Sequence, residues 1–190
     1  MRTLSPHTLA GLGLLLLSGC GAPLDAPDAP RSVAITDPEP TVRFAAFGDT
    51  GKANEGQARV AAAVANKCAA SGCDFVALLG DNIYDSGVDS VDDPQWQSKF
   101  ELPYAAIDLP FYAVLGNHDY GAGGAGLEGH KGPIQVAYTM RSRKWRMPAL
   151  YYRVAQGPGP LVELFGLDTN PMMFNLVARQ KREVQAWLAA

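Results

Sequence analysis

Histidine is scarce in this chain: among 190 residues it occurs only as His7, His118 and His130. That is too few for a site built mainly on imidazole nitrogens. Strong positive charge is also missing, because 16 Lys and Arg are outweighed by 19 Asp and Glu. The densest basic cluster, Arg141 to Arg146 (RSRKWR), is short and reads as a solvated helix end. No nucleic-acid partner is therefore expected. Long apolar runs are lacking too. The longest, LAGLGLLLLSG, falls well below the ~20 residues that a stable transmembrane helix needs. No internal repeat of solenoid period occurs. What is present, 47% apolar and 18% charged residues, excludes general disorder and fits one domain with a tail.

The apolar run follows Arg2 and ends in Leu17-Ser18-Gly19-Cys20. It fits the h-region of a secretory signal, and its end resembles a bacterial lipobox, in which Cys20 would be lipidated. Gly21 follows, without the Asp that marks inner-membrane retention in enteric-type bacteria. The expectation is export to the bacterial cell envelope, lipid-anchored at the outer membrane or periplasmic. Residues 1–20 would be the signal, 21–40 a Pro/Ala-rich tether, and 41–190 the folded part. Cys68 and Cys73 remain. Outside the cytoplasm an even pair suggests a disulfide, with two buried free thiols as the alternative.

The runs at 42–47, 74–79 and 111–115 are apolar without alternation. They are separated by helix-like segments, NEGQARVAAAVANKCAA and PQWQSKFE. Such a pattern predicts a largely parallel sheet covered on both faces, an α/β fold. Downstream come a Gly-rich loop expected to be mobile (GAGGAGLEGHKG) and a short helix (PIQVAYTMRS). A hairpin of ALYYRVA with LVELFGL and an amphipathic helix over 176–190 follow.

Each of the first three strands ends in glycine and polar residues: Gly48-Asp49-Thr50-Gly51, Gly80-Asp81-Asn82-Ile83-Tyr84, and Gly116-Asn117-His118-Asp119. Ligands of parallel α/β sheets bind at the carboxyl ends of strands, so the three loops should converge. Asp, Asn and Tyr offer oxygen to hard cations. GDTGK is not a P-loop, because Ala46 and Ala53 stand where Gly and Ser/Thr are required. An Asp after a single strand is commonly only a turn or cap; three such loops in order are harder to explain that way.

This order of motifs resembles the calcineurin-like metallophosphoesterases, and within them the purple acid phosphatases of the small tartrate-resistant type. Most of that superfamily has Asp-x-His in the first loop; here Thr50 and Gly51 follow Asp49, and Tyr84 lies three residues after Asp81. RKWRMPALYYRV and LFGLDTN also resemble the tartrate-resistant type. The resemblance implies the first half of a four-layer α/β/β/α sandwich. It implies a binuclear metal centre of Fe(III) with Fe(II), Zn or Mn, acting on a small phosphorylated substrate. Asp49 and Tyr84 would bind the ferric ion, Asp81 would bridge, and Asn117 would bind the divalent ion. His118 would contact the phosphate and protonate the leaving group, with Asp119 placed either to orient it by hydrogen bonding or to serve a purely structural role. A phosphodiesterase or nucleotidase of the same superfamily is an alternative.

The family uses three further histidines from later loops, and none follows His130 here. His130 itself is expected at the surface or the substrate rim. The expectation is a chain truncated before its last site loops, marginally folded and weakly active or inactive alone. The alternative is a non-catalytic, lipid-anchored remnant.

Overall fold

The computed structural model describes residues 39–173 together with Arg182, Gln185, Ala186 and Ala189. The expected signal, lipidation at Cys20 and nearly all of the tether lie outside the described residues, as does most of the expected C-terminal helix.

Four short strands form a parallel sheet in sequence order: β1 (Phe44–Phe47), β2 (Phe75–Leu78), β3 (Phe111–Ala113) and β4 (Trp145–Arg146). Helix α1 (Glu55–Ser71) crosses from β1 to β2. It starts where Asn54 Oδ1 accepts the Gln57 N–H at 2.9 Å, while Gln57 Oε1 accepts the Ala53 N–H at 2.7 Å. The first bond uses a donor that the first helical turn would leave unpaired, and the second ties the residue before the cap back to that turn. The helix ends at Gly72, and a disulfide joins Cys68 to Cys73 across that end. Helix α2 (Lys131–Tyr138) precedes β4. The antiparallel hairpin of β5 (Tyr151–Gln156) and β6 (Val162–Leu167) comes next, then a short helical turn, α3 (Asn170–Met173).

Alternation along the strands sorts their side chains into two layers. On one face Phe111 packs edge-on against Phe100 of the π-helical segment Gln97–Glu101, with ring centroids 5.3 Å apart. Trp145 meets Phe100 at 5.1 Å and Trp96 at 5.1 Å, and Trp96 stacks on Tyr138 of α2 at 3.6 Å. On the other face Phe44 stacks on Phe75, which meets Tyr112 edge-on. The hairpin covers this side: Tyr152 Oη donates to Ala113 O at 2.9 Å, and Gln156 Nε2 donates to Tyr112 Oη at 2.8 Å. Helices, parallel sheet and antiparallel hairpin thus form successive layers around one core.

Two expectations need correction. The basic cluster is not a solvated helix end, because it contains β4. Lys144 is buried, and its Nζ donates to the carbonyls of Glu101 (3.1 Å) and Tyr104 (3.0 Å). The Gly-rich segment is not a plain loop. It contains a 3-10 turn, Ala122–Gly124, held by Asn117 Nδ2 donating to Gly124 O and Gly123 N–H donating to Ser86 Oγ, and it runs into α2 at Lys131.

Candidate metal and phosphate site

The three strand-end loops converge. Asp49 and Asp81 each follow a glycine just beyond β1 and β2, and both adopt a left-handed backbone, φ 54° and 51°. Non-glycine residues are uncommon there, and such strain concentrates at functional sites. Main-chain bonds lock the two loops in step: Asp49 N–H donates to Gly80 O at 3.1 Å and Thr50 N–H to Asp81 O at 3.0 Å. The third loop closes on Asp81, whose Oδ1 accepts the His118 N–H at 2.9 Å. Gly116 permits that approach, because a Cβ there would stand 2.2 Å from Asp81 Oδ1.

At the centre lies Tyr84. Its Oη donates to Asp49 Oδ1 at 2.7 Å and approaches Asp81 Oδ2 at 3.1 Å. Burial, then the Asp49 and Asp81 carboxylates, push the phenol pKa well above its ordinary value. Two carboxylates gathered around one phenolic proton form a place where a hard cation can take the proton's position. Asn117 commits its Nδ2 to Gly124 O at 2.6 Å, which leaves the amide oxygen as the atom it could offer to a cation. The donor set fits hard-cation chemistry: two carboxylates, a phenol and an amide. Among the described residues, no group of three or more His, Cys, Asp and Glu side chains gathers as a metal site.

His118 is half-buried with its ring 4.3 Å from that of Tyr84. Its Nδ1 lies 2.8 Å from Asp85 O. A carbonyl only accepts, so Nδ1 carries hydrogen and Nε2 is the nitrogen free to exchange a proton. Across the ring sits Gly124, where a Cβ would come within 2.5 Å of His118 Cε1. The segment carrying Gly124 is fixed by the Asn117 bond and by Gly123 N–H donating to Ser86 Oγ at 2.9 Å. Lys131, buried at the start of α2, holds Ser86 O at 2.6 Å and pairs with Asp89 and Glu128, each at 2.9 Å.

Asp119 does not orient His118. Its side chain is fully buried and turns into the β2 loop. There it accepts the N–H groups of Asn82 (3.0 Å), Ile83 (3.0 Å) and Gly116 (2.9 Å), and Asn82 Nδ2 at 3.0 Å. Burial pushes its pKa up to about 7, against the lowering effect of the Gly116, Asn82 and Ile83 N–H donors. Its place is structural, as a staple between the second and third loops. The Asp85 carbonyl holds His118 instead, and sequence reasoning missed it because a backbone oxygen carries no side-chain signature. Lys52, paired with Asp85, was missed as well. His130 is exposed at the N-cap of α2, next to Lys131.

The family model for calcineurin-like phosphoesterases matches residues 42–188. Tartrate-resistant acid phosphatase type 5 of Mus musculus is 35% identical over 148 residues, 70% of this chain and 42% of that protein. The Rattus norvegicus protein of the same name is 32% identical over 175 residues, 85% of this chain and 47% of its own length. Purple acid phosphatase 3 of Arabidopsis thaliana is 31% identical, with 77% of this chain and 38% of that protein covered. The chain thus spans less than half the length of these curated relatives. Among solved structures, GAP50, the anchor in the inner membrane complex of Plasmodium, superposes with a TM-score of 0.57 over 77% of this chain and 47% of that one. At 24% identity it shows a shared fold alone. The parallel sheet, its converging strand-end loops and the span of the match agree: this chain belongs to the calcineurin-like phosphoesterase family.

Proposed function

We propose that this chain carries the first three site loops of a metal-dependent phosphatase that hydrolyses phosphomonoesters. The observation that carries the reading is Tyr84 Oη held between the carboxylates of Asp49 and Asp81. Asp49 and Tyr84 would hold a ferric ion, Asp81 would be shared, and Asn117 would contribute to the divalent ion, iron, zinc or manganese. When bound, such a pair supplies charge neutralisation for the phosphate and acidifies water. The chain's own residues then have defined tasks. The Asp85 carbonyl fixes the His118 ring through Nδ1, and in the cationic ring, which carries hydrogen on both nitrogens, Nε2 would give its proton to the departing ester oxygen and leave the neutral imidazole. Asp119 keeps the second and third loops in register.

The proposed setting is the bacterial cell envelope, through export and lipidation at Cys20. The Cys68–Cys73 disulfide supports an oxidising compartment. No described helix is long and apolar enough to cross a membrane.

A second reading, a lipid-anchored chain without catalysis, draws on the small donor set. One experiment separates the two. The purified chain is loaded with Fe(III) and Zn(II), its bound metal is measured, and p-nitrophenyl phosphate hydrolysis is followed at acidic pH. Bound metal with turnover, both lost in Asp81→Ala, supports the phosphatase. Metal content unchanged by Asp81→Ala contradicts the bridging role, and a chain that retains no metal leaves the second reading.

A further inference from the structure

Three lysines surround the loop that carries Tyr84 and Asp85. Two are committed to structure. Lys99 donates to the Tyr84 carbonyl and to Gln95 Oε1, and Lys131 is buried against Ser86, Asp89 and Glu128. The third, Lys52, differs. Its side chain is 45% exposed, its ammonium lies 4.2 Å from the centre of the Tyr84 ring, and its ion-pair partner is Asp85, 73% exposed. It follows Asp49 by three residues in the first loop. It also lines a cavity of about 240 Å³ together with Asp49, Thr50, Asn54 and Tyr104. A partly exposed cation therefore stands against the Tyr84 ring, held by an exposed partner, and lines the same cavity as Asp49.

We propose that Lys52 is a phosphate-recruiting residue that exchanges Asp85 for the terminal phosphate of the substrate and so favours doubly charged monoesters over singly charged diesters. The proposal rests on the phosphatase reading and sharpens its substrate class. Its physical basis is an unequal exchange. An exposed Lys–Asp pair adds little stability, and Asp85, once released, stays in water, so no buried charge is left uncompensated. The ammonium gains a charge-assisted bond to a phosphate oxygen, and lysine suits this role as a flexible point charge. A monoester dianion attracts it more strongly than a diester monoanion.

The test is calorimetric titration of inorganic phosphate, and separately of dimethyl phosphate, into the whole chain supplied with Fe(III) and Zn(II). The pH is set so that inorganic phosphate is a dianion. Lys52→Gln should raise the phosphate Kd about tenfold, as expected for one lost charge-assisted contact, and the dimethyl phosphate Kd less than about threefold. Lys52→Arg should stay within about threefold of the unaltered chain, because the charge is kept. Equal phosphate affinity in Lys52→Gln and the unaltered chain overturns the role of Lys52 alone. Equal losses for both anions overturn the selectivity. A chain that binds neither anion overturns both this proposal and the phosphatase reading.

Discussion

Replacing Asp119 with alanine tests whether the third loop is stapled to the second or serves the histidine beside it. The carboxylate is fully buried and accepts three backbone N–H groups and one side-chain amide, all at 2.9–3.1 Å. Alanine would leave those donors unpaired where water has poor access. Each unsatisfied buried donor costs ~1–3 kcal/mol. Even at the lower limit, the three backbone groups give a loss of about 3 kcal/mol. Relief from burying a carboxylate offsets part of this, since burial outweighs the lowering by its N–H donors and leaves its pKa at about 7. Against a typical domain stability of ~5–15 kcal/mol, a net loss of about 2–3 kcal/mol is large. The assay is urea unfolding, in which Asp119→Ala should lower the midpoint at unchanged slope. Amide exchange at Asn82, Ile83 and Gly116 should accelerate together. Asp119→Asn keeps one acceptor oxygen and should lose about half as much. An unchanged midpoint, with only the His118 resonances altered, would refute the staple and restore a histidine-orienting role.

Two further substitutions probe the surroundings. Asp168 accepts from Tyr120 Oη and from the Asn170 N–H, and burial pushes its pKa up to about 6. Between pH about 4 and 6 the folded state keeps a proton that the unfolded chain, with an aspartate pKa of about 3.9, has released. The contribution of Asp168 to stability should therefore be fully present below about pH 4 and be lost as pH rises through about 6. Asp168→Asn should flatten that part of a pH series of urea midpoints, and an unaltered slope would count against it. Gly124→Ala places a methyl group 2.5 Å from His118 Cε1 at φ 93°, so the ring must move. The His118 ring resonances should shift, and unfolding stability should drop by about 1 kcal/mol or more. Unmoved resonances would show that Gly124 does not confine the ring.

The inner strands β2 and β3 were legible because burial on both faces leaves little alternation: FVAL of β2 and FYA of β3 are apolar throughout or nearly so. Strand β4 was not. It is two residues long and sits within RSRKWR, whose charges signal solvent. The charges are satisfied locally. Arg146 donates to the carbonyls of Ser142, Trp145 and Arg143, and Lys144 carries its ammonium to the Glu101 and Tyr104 carbonyls. Long cationic side chains can cover apolar surface while their ends reach polar partners. Charge density therefore misreports burial when backbone carbonyls supply those partners.

The site divides in the same way. Asp49, Asp81, Tyr84, Asn117 and His118 were legible because each follows a strand-ending glycine closely and carries its chemistry in its side chain. Asp119 could not be assigned between orienting His118 and a structural role, because being next in sequence does not say where its side chain turns. Asp119 and His118 belong to one 3-10 turn. With three residues per turn, successive side chains point roughly 120° apart. When His118 turns toward Tyr84 and the strand ends, Asp119 must turn away from that opening, and it enters the protein. The burial that follows demands donors, which the second loop supplies as backbone N–H groups. The same turn that presents the histidine thus requires a buried acceptor behind it. Changes at position 119 should be felt first in the loop that carries Asp81 and only through it at the histidine.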